Sequence, residues 1–299
     1  MSYFKNAMKL FVVHDKVLFY RDFCNNIDTG IIYRPLRSRF MRALRRLHLR
    51  SSLPLFSVWY TNDFRAAGTR SESIILFDSI LTIPAANYLK KKYPSIRIIY
   101  WHWNHIENEK VQKNKLDDTV EQWSFDRADC RKYGLKFNTQ FYFPEFGNSR
   151  QIVERDFFFI GVEKRRKDQI ERCIQLIDDA DLTRQFITIG NTRKEQLEKS
   201  LSYSQVLELI SSSRCVVDIV SDVQQGLTLR PLEALFLQKK LLTNFPQIKD
   251  YDFYRPNNIF LIGEDNPSSL REFLSLPYDK TANKYIRHYS FAQWLKRFQ

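Results

Sequence analysis

CVVDIVSDVQQGLTLRPLEALFLQKKLLTN, residues 215–244, carries the strongest structural signal in the chain. Its opening run, residues 215–220, is apolar and β-branched apart from Cys215 and Asp218, which predicts a buried parallel strand. The polar run that follows ends in Gly226 and Thr228. Pro231 then stands where the first turn of a helix tolerates it, because the N–H it lacks would have had no intrahelical partner. Leu232, Leu235 and Phe236 form a helical stripe, and Leu241 and Leu242 open another strand. A loop running from the carboxyl end of a strand into a helix N-terminus is where α/β sheets bind anions. Arg230 at the helix opening and Glu233 on its buried side suit a nucleotide site. An ordinary strand–loop–helix unit without a ligand is the competing reading.

On either side of this stretch strand and helix signals alternate, which argues for an α/β protein with parallel sheets. In the first half the predicted strands are residues 8–13, 56–60, 74–77, 97–103 and 123–125, with an extended piece at 140–143. Helices are predicted at 83–92, stopped by Pro94, at 116–121, and at 127–133, stopped by Gly134. Gly147, Asn148 and Ser149 mark a boundary. Beyond it come strand 156–161 (DFFFIG), a basic loop 162–167 (VEKRRK), helix 168–177, strand 186–189, helix 203–212 and a last strand at 258–262. The expected domains are residues 1–150 and 151–280. A C-terminal helix at 281–299, with Ile286, Tyr289, Trp294, Leu295 and Phe298 on one face, is expected to lie across both domains, with a membrane contact as the second reading.

A chain of 299 residues has room for two domains, and its 43% hydrophobic content lets each bury a large core. No apolar run approaches about 18 residues, so no membrane span is expected. Residues 1–15 lack the apolar core of a signal peptide, so a cytoplasmic location is expected. Cys24, Cys130, Cys173 and Cys215 show no paired spacing, which argues against a structural zinc site and agrees with a reducing compartment. The net charge of +13 points to anionic partners. It is concentrated: no acidic residue lies between Asp28 and Asp63, an interval carrying Arg34, Arg37, Arg39, Arg42, Arg45, Arg46 and Arg50. Leu36, Phe40, Leu44 and Leu47 fall at helical spacing among them, predicting a basic amphipathic helix over 35–49. Three destinations compete for it: its own domain, an anionic membrane surface, or nucleic acid. No zinc-finger, RNP or recognition-helix signature accompanies the charge, so nucleic acid is not expected as a partner.

Read in order, these segments resemble the C-terminal domain of GT-B glycosyltransferases. The resemblance implies an α/β protein with two Rossmann-like domains facing a cleft, a GT-B-like fold whose second domain holds a nucleotide-sugar donor. The family carries an E-x7-E motif. Its second glutamate matches Glu233, in PLEAL, and implies a contact with the ribose. Where the first glutamate stands in the family, this chain has Gln225, which hydrogen-bonds a sugar hydroxyl but carries no negative charge. The loop after DFFFIG matches the one that supplies Lys and Arg to the diphosphate, which nominates Lys164, Arg165 and Arg166; spacing does not say which points inward, and a solvated loop is the alternative. The stretches IILFDS (74–79), IIYWHWN (98–104), WSFDRADCRKYGLKFN (123–138) and QGLTLRPLEAL (225–235) together resemble bacterial glycosyltransferases of lipopolysaccharide or capsule assembly. That implies a polysaccharide or lipid-linked acceptor, and with it peripheral contact of 35–49 with the inner face of an anionic membrane.

Glycosyl transfer builds negative charge on the leaving phosphate, and positioned donors stabilise it without a metal. Backbone N–H groups near Gly226 and Thr228, the helix N-terminus and Arg230 are the expected anion site, with no cofactor and no metal. The Asp179-Ala-Asp181 triplet reads as a solvated turn. An inverting enzyme needs a base from the first domain, and Asp78, His102 and Asp126 lie at or just after predicted strands. Each has a structural alternative where the residues suggest one: His102 as a core histidine between Trp101 and Trp103, Asp126 as the cap of the helix at 127. Of the two tryptophans, one could stack on a sugar. A retaining enzyme needs no such base, and the choice stays open. A GT-B-like binding module that has lost catalysis is the alternative to an enzyme.

Overall fold

The structure, a computed structural model, describes residues 8–12, 28–51, 55–79, 81–106, 116–144, 152–163, 166–190, 201–221 and 226–299. The chain forms two compact units, Met1–Asn138 and Thr139–Gln299, so the division falls before residue 150. In the first unit the elements run β1 (Met8–Val12), β2 (Asp28–Ile31), α1 (Arg39–Arg50), α2 (Asn62–Arg70), β3 (Ser73–Phe77), α3 (Ile83–Lys92), β4 (Arg97–His102), β5 (Glu121–Ser124), α4 (Arg127–Tyr133) and β6 (Lys136–Phe137). In the second they run β7 (Arg155–Val162), α5 (Lys167–Asp179), β8 (Arg184–Ile189), α6 (Tyr203–Ser211), β9 (Ser213–Asp218), α7 (Leu229–Phe236), β10 (Lys240–Thr243), β11 (Ile259–Leu261), α8 (Leu270–Ser275) and α9 (Phe291–Lys296).

Among the described residues each unit holds one sheet, ordered β2-β1-β3-β4-β5-β6 and β11-β10-β9-β7-β8. Every neighbouring pair is parallel. The α/β architecture with Rossmann-like parallel sheets is therefore the observed one. Both chains of strands start in the interior and wind outward in two directions, so the order reverses between β1 and β3 and again between β7 and β9. Such switch points open a crevice at the carboxyl ends of the strands, where ligands of α/β proteins sit.

The continuous apolar runs form strands because both faces are covered. Along β7, Phe157 and Phe159 join Ile170, Cys173 and Ile177 of α5, whereas Phe158 and Ile160 join Val206 and Ile210 of α6. Along β9, Cys215 and Val217 face the first group and Val216 the second. The period of two assigns successive side chains to opposite layers. In the first sheet Ile74, Leu76, Ile98 and Tyr100 share a core with Ala86 and Leu89 of α3, and Ile75, Phe77, Ile99 and Trp101 are buried too.

Three predicted segments take another form in the structure. Residues 56–60 are not a strand: Leu55 enters at φ 71° and Phe56–Trp59 form a single 3-10 turn. Residues 116–121 are not a helix, because the Asp117 carboxylate accepts from Thr119 N at 2.9 Å, turning the chain into β5. Residues 281–299 are not one helix: a 3-10 segment, Lys280–Tyr285, precedes α9, which restarts at Ser290, whose hydroxyl accepts from Gln293 N. This tail is held in the second unit by aromatic contacts, with Trp294 4.4 Å from Phe141 and Phe291 4.8 Å from Phe143 between ring centroids. The basic helix exists as α1, capped by Ser38, but it does not seat its apolar stripe on its own unit. Arg45 and Leu49 are buried instead; the Arg45 guanidinium lies 5.1 Å from the Tyr33 ring and donates to Arg34 O at 2.8 Å.

Candidate functional site

In the second unit the singled-out residues that the structure describes, Arg166, Gly226, Thr228, Arg230 and Glu233, lie at the β7–β9 crevice. The two strands pair from Arg155 and Ser213 as far as Phe158 and Val216, after which no pairing continues between them. Arg166, just ahead of α5, ties their ends. Its guanidinium donates to Ile219 O at 2.6 Å and to Val162 O at 3.2 Å from Nε, with a second bond from Nη2 to the same carbonyl. Gly161 makes room for it, since a Cβ there would stand 3.1 Å from Arg166 Nη2 and 2.9 Å from Phe159 Cζ. Asn244 pins β9 from the other side, accepting from Val220 N at 2.7 Å and donating to Val220 O at 3.0 Å.

Asp218 ends β9, almost wholly buried, and Thr228 Oγ1 donates to it at 2.9 Å. Thr228 occupies the N-cap position of α7 but makes no side-chain cap bond, because its hydroxyl is given to Asp218. Burial pushes the Asp218 carboxyl up to about 6, against the pull of Thr228, Arg230 and Arg166. Glu233, one turn into α7, is fully buried. Tyr203 Oη donates to its Oε1 at 2.8 Å and lies 3.1 Å from Tyr142 Oη, while Arg230 pairs with Oε2. Burial works against the Arg230 charge, but Glu233 outweighs it and the guanidinium's pKa is raised. Burial, with Glu233 adding to it, holds the Tyr203 hydroxyl far above its ordinary value. The structure thus brings Arg166, Thr228, Arg230 and Glu233 to one end of one sheet, with Gly226 buried at the start of the same approach. Asp218, Tyr142 and Tyr203 join them without having been singled out. Asp218 was legible as the one acid in an apolar strand; the tyrosines, 91 and 30 residues from Glu233, offered no local signal. Lys164, Arg165 and Gln225 lie outside the described residues.

In the first unit Asp78 follows β3, next to the β1–β3 reversal, and His102 ends β4. They are brought together: His102 Nδ1 is 3.5 Å from Asp78 Oδ2, an ion-pair distance rather than a hydrogen bond, and Nε2 is 3.2 Å from Gln122 Oε1. Tyr100 Oη donates to Asp78 Oδ1 at 2.8 Å, and Trp103 Nε1 donates to Asp78 O at 3.1 Å. A cavity of about 970 Å³ lies against this face, with Tyr100, His102, Gln122, Asn87 and Lys91 on its wall. Trp101 is fully buried, 6.5 Å from Phe125 between ring centroids, and is a core residue.

Asp126 sits apart from the Asp78–His102 pair in its bonding. Its Oδ1 accepts from Ala128 N at 2.8 Å and Asp129 N at 3.2 Å, the N-cap of α4, and its Oδ2 is 3.0 Å from His105 Nδ1. His105, Asp126 and Asp129 are the residues, among those described, whose donor atoms converge as a cation's ligands do, all within 4.8 Å of one another. Each carboxylate is already engaged by the backbone, since Asp129 Oδ2 accepts from Ile106 N at 2.8 Å. Through these bonds the cluster closes the start of α4.

No protein-family model matches the sequence, and no curated protein matches it. Among solved structures, AviGT4, a glycosyltransferase involved in avilamycin A biosynthesis, aligns with TM-score 0.54 and 10% identity over 98% of this chain and 96% of that one. A DNA-modifying β-glucosyltransferase aligns with TM-score 0.49 and 11% identity, covering 97% and 94%. UDP-GlcNAc 2-epimerase from Neisseria meningitidis aligns with TM-score 0.45 and 11% identity, covering 97% of both chains. At 10% identity the first likeness is one of fold, two parallel-sheet α/β units in one chain as in GT-B-like proteins; the other two are too distant to carry an argument.

Proposed function

We propose that this chain is a glycosyltransferase that binds a nucleotide-sugar donor at the β7–β9 crevice of its second unit. The observation that carries the reading is the convergence of Arg166, Asp218, Thr228, Arg230 and Glu233 at the carboxyl end of a parallel sheet where the strand order reverses. Two guanidinium groups and the backbone N–H groups at the start of α7 give the crevice the donors that a diphosphate takes. In this reading Glu233 and Tyr203 hold Arg230 in place, and the leaving diphosphate is stabilised by fixed donors without a metal.

The first unit supplies the acceptor side. His102, backed by Asp78 and bordering the cavity, is the group suited to take the proton of an acceptor hydroxyl. The acceptor class is a growing bacterial cell-surface glycan, lipopolysaccharide or capsule, on the strength of the sequence resemblance alone. A second reading, a GT-B-like binding module without catalysis, is kept by Gln225 in place of the family's first glutamate.

Thermal melting with UDP, GDP, CMP, dTDP and their sugar conjugates tests the proposal. One nucleotide class is expected to raise the melting temperature of the wild type and to lose most of that effect in Arg230→Lys, which keeps a charge opposite Glu233 but not the two-pronged grip on phosphate. No shift with any of them at millimolar concentration sinks the donor site. Binding without transfer or donor hydrolysis selects the module over the enzyme. If transfer is found, His102→Gln is expected to lower kcat by about 100-fold or more while leaving nucleotide binding intact.

A further inference from the structure

The face that α1 turns to solvent is the wrong one for a helix serving only its own unit. Phe40 is 74% exposed, Leu44 41% and Leu47 69%, and these three stand at i, i+4 and i+7, a single line along the helix. The 3-10 turn that follows adds Leu55 at 70% and Val58 at 51%. The two pieces are joined: Trp59 Nε1 donates to His48 Nδ1 at 2.8 Å, and the His48 ring lies 5.1 Å from that of Phe56. Elsewhere among the described residues the exposed large hydrophobics are Ile152, Val153 and Leu276 alone, so the apolar exposure is concentrated on this one element pair.

Its surroundings are cationic. Arg39 and Arg46 run as a second i, i+7 line beside Phe40 and Leu47, and both are exposed, as are Arg37 and Arg42. No acid offsets them between Asp28 and Asp63. We infer that α1 and the turn after it form a docking surface for an anionic lipid bilayer, with the Phe40–Leu44–Leu47 line entering the acyl boundary and the arginines resting on phosphate headgroups. A bilayer answers both features at once, since apolar side chains gain burial while the flanking cations gain counter-charges. Nucleic acid would answer the arginines and leave the apolar line in water. The inference stands independently of the donor site.

The test is sedimentation of the full chain with vesicles of phosphatidylcholine alone and of phosphatidylcholine with phosphatidylglycerol, at low and high salt, needing no nucleotide. The chain is expected to pellet with the anionic vesicles about tenfold more strongly than with the neutral ones, and less at high salt. The double substitutions Phe40→Ser with Leu47→Ser, and Arg39→Glu with Arg46→Glu, are each expected to weaken pelleting about tenfold with an unchanged melting temperature, because all four side chains are exposed. A wild-type chain left in the supernatant with anionic vesicles overturns the inference. So does pelleting that survives the serine pair but not the glutamate pair, which is adsorption by charge alone. A dimer in sedimentation velocity that the serine pair dissociates, with no vesicle binding, assigns the face to a second copy of the chain instead.

Discussion

Asp218 is a carboxyl caught between burial and two guanidinium groups, and burial prevails, pushing it up to about 6. In the unfolded chain an aspartate ionises near pH 4, so between about pH 4 and 6 the folded protein holds a proton that the unfolded chain has lost. Stability linked to this group is fully present below pH 4 and fades as pH rises through 6. Asp218→Asn removes that dependence, so its melting temperature should gain on the wild type by roughly 5 °C between pH 4 and 7. If the crevice takes a diphosphate, the added negative charge raises the proton affinity of Asp218 further. A nucleotide-sugar, whose diphosphate diester does not titrate in this range, should then bind several-fold tighter near pH 5.5 than near pH 7.5 in calorimetry, and Asp218→Asn should flatten the profile. Tyr203→Phe leaves one oxygen of buried Glu233 without its donor and should cost about 1–3 kcal/mol in urea unfolding. Thr228, Arg230 and Glu233 were legible as a site because they share one loop and helix. Arg166 was legible as a cation but not as the strap across two strand ends, since that role depends on Val162 and Ile219 carbonyls meeting in space.

At the level of elements, the strands that spelled themselves out were those covered on both faces: IILF, RIIYWH, DFFFIG and CVVDIV carry almost no polar residue to confuse the period. β2 (DTGI) did not, because an edge strand exposes its residues and Gly30 is there for closeness rather than burial: a Cβ would come 2.4 Å from Phe11 Cε1. The 3.6-residue period of α1 was equally plain, yet periodicity states that a helix has two faces and not which one its unit covers. Gly134 ends α4 at φ 67° with open space around its α-carbon, so Gly134→Ala tests backbone strain alone. It should cost about 1 kcal/mol, read as a lower urea midpoint with an unchanged slope. Gly161→Ala is different, because its methyl meets Phe159 and Arg166. It should cost roughly 1–3 kcal/mol and, by displacing the strap, weaken nucleotide binding as well.

At the scale of the whole molecule, the sequence told of two α/β units because apolar runs and helices alternate throughout, but the division after Asn138 was hidden. Residues 140–143 look like a trailing strand of the first half; Tyr142 instead bonds to Tyr289 O and accepts from Phe291 N, contacts made across nearly the full length of the second unit. A nucleotide bound at the β7–β9 crevice should slow amide hydrogen exchange in peptides spanning 155–190 and 213–244 and leave those spanning 73–102 unchanged. Equal protection of both sets would place the ligand elsewhere. Among the described residues no strand in either sheet meets its neighbour through a hairpin; the pairing of β1 with β3, for one, joins Phe11 to Leu76 across a long stretch of chain. Each sheet must therefore close wide loops before any ladder rewards them, which makes refolding slow and leaves bare strand edges waiting for partners. Recovery after dilution from urea should accordingly fall as the protein concentration rises, whatever the stability of the finished fold.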